Sequence, residues 1–282
     1  MIAPLPDFLI EEAVARALKE DLGDAGDITT NAVVPAARQA RAVIAARKAG
    51  VIAGAEVARA AFRLVDPALS VHIEKRDGAR ISAGDTALAI EGRARSILTA
   101  ERVALNFMGR LSGVATATAA LVEAAQGTSA KIVCTRKTTP SLRAFEKHAV
   151  RCGGGFNHRF GLYDAAMIKD NHIAAAGGVA PALKAARAAF GHMVKVEIEV
   201  DSLAQLEEAL RDGADVVLLD NMAPDDLKRA VALTGGRAVL EASGNVTVST
   251  VRAIAETGVD CISSGWITHS APSLDLGLDF LK

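Results

Sequence analysis

Four polar residues, Glu199, Asp220, Glu241 and Ser263, close short apolar runs at intervals of 21, 21 and 22 positions. The runs are Val194 to Val200, Val216 to Leu219, Ala238 to Leu240 and Cys261-Ile262; earlier ones stand at Ile132-Val133 and Met167-Ile168. A strand, a loop and a helix together take about 20–25 residues by their rise per residue. The chain after Lys131 therefore repeats a βα unit. Its helices carry their own punctuation. Asp201 or Ser202 caps one with Leu203, Leu206 and Leu210, ended by Gly213, and Pro224 opens another that stops at Gly235. Thr247 caps a third, with Val251, Ile254 and Ala255 behind it and Gly258 at its end. Polar residues at nearly every strand end point to an α/β barrel, closed or incomplete, whose active site lies at that end. A doubly wound open sheet would gather its ligand groups at one switch point.

The first part of the chain has another rhythm. Asp7 is placed to cap a helix with Ile10, Val14 and Leu18 on one face, ending near Gly23, and Gly26 to Thr30 reads as a turn into extended chain. Ala42 to Ala46, Val71 to Glu74 and Ala87 to Ile90 have strand length, with the turn signal Asp77-Gly78 after the second. From Ser96 to about Ala125 the spacing predicts helix, broken near Ser112-Gly113. These features define an α/β protein in two parts: an N-terminal α+β sandwich domain over 1–115 and an α/β barrel over 116–282.

Between Cys134 and His172 the basic residues crowd together. Thr135-Arg136-Lys137-Thr138 and Asn157-His158-Arg159 flank Gly153-Gly154-Gly155, and Lys169-Asp170-Asn171-His172 follows. Lys and Arg are ordinarily solvated surface charges. Here they fall at strand ends or in a glycine loop, which favours a small polyanion as ligand: Arg offers a planar fork and Lys a point charge. His158, between cations, fits anion contact, whereas His172 and His269 fit loop anchoring. Glu199 and Asp220 end consecutive strands. They either neutralise the neighbouring cations or hold ribose hydroxyls or a divalent metal near a diphosphate. Ser243-Gly244-Asn245 and Ser264-Gly265-Trp266 follow strands and suit either ordinary turns or a phosphate cradle.

Composition narrows the partners. A net charge of -1 over 282 residues argues against a non-specific nucleic-acid binder, so the basic cluster is local. Aromatics at 4% leave Ala, Val, Leu and Ile to build the core. Three cysteines, Cys134, Cys152 and Cys261, form no C-x-x-C pair, so neither a disulfide framework nor a zinc site is expected from spacing, and a reducing cytoplasmic setting is. The start of the chain has no basic region of the kind a signal peptide carries, and no uncharged apolar run reaches membrane-spanning length.

Several segments together resemble the quinolinate phosphoribosyltransferase family, the carboxylating nicotinate-nucleotide pyrophosphorylases. They are DLGDAGDITT at 21–30, ERVALNFMGRLSGVAT at 101–116, TRKTTP at 135–140, EKHAVRCGGG at 146–155 and NHR at 157–159. IKDNH at 168–172, VEIEVDSL at 196–203, LLDN at 218–221, EASGNV at 241–246 and THSAP at 268–272 complete the set. The family's first phosphate loop usually reads Ser-Gly-Gly, so Asn245 departs from it. Trp266 stands where a small residue is more usual, and Phe156 occupies a variable position.

The resemblance implies a decarboxylating pentosyl transfer: quinolinate and 5-phosphoribosyl diphosphate give nicotinate mononucleotide, diphosphate and CO₂, with Mg²⁺, in NAD biosynthesis. It implies substrate contacts from Arg102, Thr135, Arg136, Lys137, His158, Arg159 and Lys169, with Lys137, Lys169, Glu199 and Asp220 at the chemistry. Glu199 and Asp220 would hold ribose and metal; Ser243, Gly244, Asn245, Ser264, Gly265 and Trp266 would hold the 5-phosphate. It further implies a homodimer or higher homo-oligomer with shared active sites, while charge and apolar run length predict no nucleic-acid or membrane partner. Two other classes compete on the residues alone. Lys169 at a strand end could form a Schiff base as in aldolases, or the chain could bind phosphosugars without catalysis. A paralogue of the same fold from molybdenum operons fits less well, because TRKT, NHR and KDNH are all intact.

Overall fold

The two rhythms become one main sheet each in the computed structural model, which describes residues 2–282. In chain order come α1 (Asp7–Leu22), α2 (Ile28–Val33), β1 (Gln39–Ala46), β2 (Gly50–Val51), α3 (Ala55–Val65), β3 (Ser70–Ile73), β4 (Arg80–Ile81), β5 (Thr86–Arg93) and α4 (Ala94–Ala124). There follow β6 (Lys131–Val133), α5 (Arg143–Cys152), β7 (Ala166–Ile168), α6 (Asp170–Ala176), α7 (Val179–Ala189), β8 (Val196–Val200) and α8 (Leu203–Arg211). The last are β9 (Val216–Asp220), α9 (Pro224–Thr234), β10 (Val239–Ser243), α10 (Val251–Ala255), β11 (Cys261–Ser263), α11 (Trp266–His269) and β12 (Leu276–Phe280).

Two compact units result. The first takes the chain up to Ala119 together with Ala144–Gly154 and Ala271–Lys282; the second takes Ala120–Arg143 and Gly155–Ser270. The expected division at 115/116 is contiguous, whereas the first unit is not. Its antiparallel sheet runs in the order β12-β1-β5-β3, so the end of the chain returns to pair with β1, Ile44 facing Leu278. A β12 was not expected from the sequence, since Leu276-Gly277-Leu278-Asp279-Phe280 carries a glycine and an acid.

Other expectations in this unit change too. Asp7 lies inside the first turn of α1, and Pro6 occupies the cap; Ile10, Val14 and Leu18 are the buried face as read. Residues 28–33 are helical rather than extended, because the Asp27 carboxylate accepts the Thr30 N–H at 2.9 Å and so nucleates α2. Helix α4 runs unbroken through Ser112-Gly113. Ser112 Oγ accepts the Ala53 N–H at 3.0 Å, and Gly113 leaves room for a backbone: a Cβ there would stand 2.1 Å from the Pro272 carbonyl oxygen. A glycine that looks like a breaker is thus a contact point for neighbouring chain.

The second unit holds a parallel sheet in the order β6-β11-β10-β9-β8-β7, open between its edge strands, with Phe156 bridging to Val133 beside β6. This is the incomplete form of the barrel. Ile198, Val200, Val217, Leu219, Leu240, Ala242 and Ile262 are buried, and alternate residues of the same strands face the other way. Leu206, Ala209, Leu227 and Ala230 supply the buried faces of α8 and α9. Ser202 is the cap of α8, Pro224 is the first residue of α9, and Gly235 ends α9 with φ +54°. Thr250 stands at the cap of α10; Thr247 shapes the turn before it. Glu241 is a correction: β10 continues to Ser243, which puts Glu241 at mid-strand.

Gly113→Ala tests the close approach in the first unit. In an unconstrained helix this change is favourable by about 1 kcal/mol. Against a backbone oxygen it should reverse sign and destabilise, with overpacking of about 1–3 kcal/mol. Thermal unfolding checks this, and a raised Tm would refute the contact.

Candidate active site

At the C-terminal ends of the parallel strands lies a cleft of about 1120 Å³. Thr135, Arg136 and Lys137 reach it after β6, His158 and Arg159 after the glycine segment, and Lys169 after β7. Glu199 comes from β8, Asp220 from β9, Ser243, Gly244 and Asn245 from the end of β10, and Ser264, Gly265 and Trp266 from beyond β11. Every residue named for the site from the sequence lines this cleft except Arg102, which is exposed on α4 in the first unit.

The cationic loop after β6 is held by its own polar residues. Thr135 Oγ1 accepts the Lys137 N–H at 3.0 Å, and Thr268 Oγ1 donates to the Lys137 carbonyl at 2.8 Å. Arg143 donates to Thr138 Oγ1 at 3.0 Å and to the Phe160 carbonyl at 2.9 Å, tying this loop to the one that carries Arg159. Arg159 is anchored by one nitrogen to the Ala165 carbonyl at 3.0 Å. The Nε atoms of Arg136 and Arg159 are buried and meet no acceptor among the described residues. Burial, and then the neighbouring charge of Arg136, push the Arg159 pKa below the usual guanidinium value. Two buried guanidinium N–H groups left unpaired cost free energy that an anion accepting from them recovers.

Below them His158 meets two buried acids. The Arg159 N–H donates to His158 Nδ1 at 2.9 Å, which makes Nδ1 an acceptor and leaves the ring proton on Nε2. That proton faces Glu197 Oε2 at 2.8 Å, with Glu241 Oε2 at 3.8 Å from the same nitrogen. Burial first, and then the charge of Glu197, raise the Glu241 carboxyl to about 7. Neither acid was assigned a site role from the sequence. For Glu197 the signal was there: a strand reading Val-Glu-Ile-Glu-Val puts it on the same side as Glu199.

The acidic side of the cleft pairs with it. Lys169 Nζ contacts Glu199 Oε2. Asn221 Nδ2 donates to Asp220 Oδ2 at 2.8 Å. Asn221 and Asn245 both have left-handed backbones, φ +53° and +49°, which asparagine tolerates better than most residues. Gly244, at φ +107°, packs so closely that a Cβ would stand 2.1 Å from Asn221 Oδ1. Asn245 Nδ2 reaches the same oxygen at 3.4 Å. Asn221, Ser263 and His269 are cleft residues that spacing did not single out for binding. His172 instead accepts the Lys169 N–H at 2.9 Å as part of the α6 cap.

Fold and site together define an α/β-barrel enzyme with a cleft made for anionic substrates. Family models described as quinolinate phosphoribosyl transferase, N-terminal domain and C-terminal domain, match residues 27–112 and 114–279. The chain is 45% identical over 260 residues to a probable nicotinate-nucleotide pyrophosphorylase (carboxylating) of Bacillus subtilis, covering 92% of this chain and 89% of that one. It is 45% identical over 276 residues to the Mycobacterium leprae protein of the corresponding name, covering 95% and 96%. The crystal structure of NadC from Streptococcus pyogenes matches with a TM-score of 0.94 at 46% identity, over 99% of this chain and 100% of that one. The nicotinate-nucleotide pyrophosphorylase from Francisella tularensis matches with 0.95 at 38% identity, over 100% and 99%. The chain belongs to the quinolinate phosphoribosyltransferase family.

The raised Glu241 carboxyl has a consequence for stability. Between its ordinary value of 4.5 and about 7 the native state holds a proton that the unfolded state has released. Folding stability should therefore fall as pH rises through that window. Glu241→Gln removes the titration, so the Tm of wild type relative to this variant should drop from pH 4.5 to 7. A difference that stays flat, or rises, refutes the burial argument.

Proposed function

We propose that this chain transfers the phosphoribosyl group of 5-phosphoribosyl diphosphate to the ring nitrogen of quinolinate, giving nicotinate mononucleotide, diphosphate and CO₂. The observation that carries this reading is a pair of neighbouring guanidinium groups, Arg136 and Arg159, whose Nε atoms are buried without an acceptor among the described residues, in one cleft with Glu199 and Asp220. A pyridine dicarboxylate meets the cations, and a pentose meets the acids. Both substrates are polyanions that repel one another in solution, and a cationic cleft screens that repulsion. Holding the pyridine nitrogen against the anomeric carbon makes attack effectively intramolecular. The C–O bond to diphosphate breaks as the C–N bond forms. The 2-carboxylate then leaves as CO₂, its bonding electrons passing into the quaternised ring and a proton taking its place. No enzyme nucleophile is required.

The residues divide accordingly. Arg136, His158, Arg159 and Lys169 take the carboxylates, Lys137 the diphosphate or a carboxylate, and Thr135 orders the loop. Asp220 and Glu199 take ribose hydroxyls. They also offer the hard carboxylate oxygens that Mg²⁺ uses beside substrate oxygens, and bound there the ion would supply charge for the departing diphosphate. Ser243-Gly244-Asn245 and Ser264-Gly265-Trp266 take the 5-phosphate. The contact between Lys169 and Glu199 suits an ammonium more than the neutral amine a Schiff base needs. We place the reaction in the cytoplasm; no helix among the described residues is long and apolar enough to cross a membrane.

A coupled assay for quinolinate-dependent release of diphosphate and CO₂ tests the reading. Tight binding of the phosphoribosyl donor without release would make the chain a phosphosugar-binding protein instead. Within the reading, Arg136→Lys or Arg159→Lys exchanges a fork for a point charge. Each should weaken quinolinate binding by about 1.5–3 kcal/mol in calorimetry, the worth of one charge-assisted contact. Unchanged affinity in both would remove them from the carboxylate site.

Arg102 is exposed on α4 and absent from the cleft lining, and in the proposed homodimer it completes the partner's site. Arg102→Ala and Asp220→Ala should each be nearly inactive, yet complement one another when subunits exchange. Random pairing of equal amounts makes half the dimers mixed, each with one intact site, so activity should return to roughly a quarter of wild type. Mixed dimers verified by tagged pull-down but still inactive would exclude sharing through Arg102.

A further inference from the structure

Away from the cleft, in the first unit, three side chains with metal-binding chemistry meet. His148 and Cys152 stand four residues apart on α5 and so share a face. Asp77 comes from the turn between β3 and β4, and its Oδ2 lies 2.8 Å from His148 Nε2. One ligand atom from each of the three residues lies within 4.8 Å of those of the other two. The aspartate is held in place: its Oδ1 accepts the N–H of Ala55, the first residue of α3, at 2.9 Å. Cys152 is only 6% exposed, and the His148 side chain 8%. Nothing in the proposed transfer reaction uses these groups.

We propose that Asp77, His148 and Cys152 form a binding site for zinc, distinct from the oxygen ligands offered by Glu199 and Asp220. The donor set of one sulfur, one imidazole nitrogen and one carboxylate oxygen is what this borderline-soft ion takes, and three protein ligands leave a fourth position for water. Mg²⁺ prefers all-oxygen surroundings and would not compete. A thiolate and a carboxylate carry two negative charges, which a divalent ion offsets. Tetrahedral ligands about 2.0–2.3 Å from zinc lie roughly 3.3–3.8 Å apart. The hydrogen bond between His148 and Asp77 therefore has to open by only a fraction of an ångström. On binding, the Cys152 S–H bond breaks, the sulfur bonds to zinc and its proton leaves to solvent; the proton that His148 Nε2 shares with Asp77 is taken up at Nδ1 through solvent, which frees Nε2 and the carboxylate oxygen for the metal.

A Cys-His-Asp grouping could instead serve as a nucleophile. Burial, and then the charge of Asp77, push the Cys152 thiol pKa upward, and a reactive cysteine needs the opposite shift. A bound cation reverses that balance, because it favours the thiolate. Occupancy would clamp the turn at 77–78 to the last turn of α5. From that turn the chain runs through Gly153-Gly154-Gly155 to His158 and Arg159.

The test uses the full chain, stripped with a chelator and titrated with Co²⁺ as a spectroscopic stand-in. One equivalent should bind with thiolate-to-cobalt charge-transfer absorption in the near ultraviolet, and added Zn²⁺ should displace it. The band should persist in Asp220→Asn and vanish in Cys152→Ser. Losing an outer-shell partner alone costs a metal site about 10–100-fold. His148→Gln, which loses a ligand, should therefore weaken cobalt binding at least about tenfold. Wild type without the charge-transfer band overturns the proposal, whatever the variants do. So does a band that survives Cys152→Ser, which would place the sulfur at Cys134 or Cys261.

Discussion

In-register parallel pairing sets Glu199 beside Leu218, Leu218 beside Glu241, and Ser243 beside both Asp220 and Ser263. Side chains on neighbouring strands at matched positions point the same way, so these residues share the cleft side of the sheet. The residues between them, Ile198, Val217, Leu219, Ala242 and Ile262, are buried on the other side. A slip of one residue in any pair would exchange the two sets, sending carboxylates into the helix layer and aliphatic groups into the cleft. The apolar packing that stabilises the second unit therefore also sets the height and direction of each acid.

Charge does the rest. A chain with a net charge of -1 concentrates Arg136, Lys137, Arg159 and Lys169 around one cleft, then sets acids among them. The acids fall into two groups by depth. Glu199 and Asp220, less buried, meet Lys169 and Asn221. Glu197 and Glu241, deeply buried, face His158. Of the deeper pair, Glu197 favours the charge on Arg159 and so works against the repulsion from Arg136. The cost appears as buried atoms of both signs without a partner among the described residues, the Nε atoms of Arg136 and Arg159 and Oε1 of Glu197 and Glu241. A site tuned for charged ligands keeps some of its polar capacity unsatisfied for the ligand to use.

Much of this was legible in the sequence. The intervals between Glu199, Asp220, Glu241 and Ser263 record the length of a strand, a loop and a helix, which local geometry sets. Arg136, Lys137, His158, Arg159 and Lys169 stand out because cations and glycines gather there against a neutral background. Caps such as Ser202 and stops such as Gly235 were also readable, since they depend on a few adjacent residues. What the sequence could not show involved partners far along the chain. Gly113 read as a break because its tight contact, Pro272, lies far away in sequence, and Glu241 read as a strand end because β10 runs on through Ala242-Ser243. β12 pairs with β1 across most of the chain, and nothing local announces it. Asp77 met His148 and Cys152 only once a turn and a helix had docked. Backbone propensity and side-chain period are local, and the sequence by itself determined what they control: the βα repeat, its helices and the location of the cations. Register, depth and distant contacts depend on how far chain segments approach one another, and only the tertiary structure decided them.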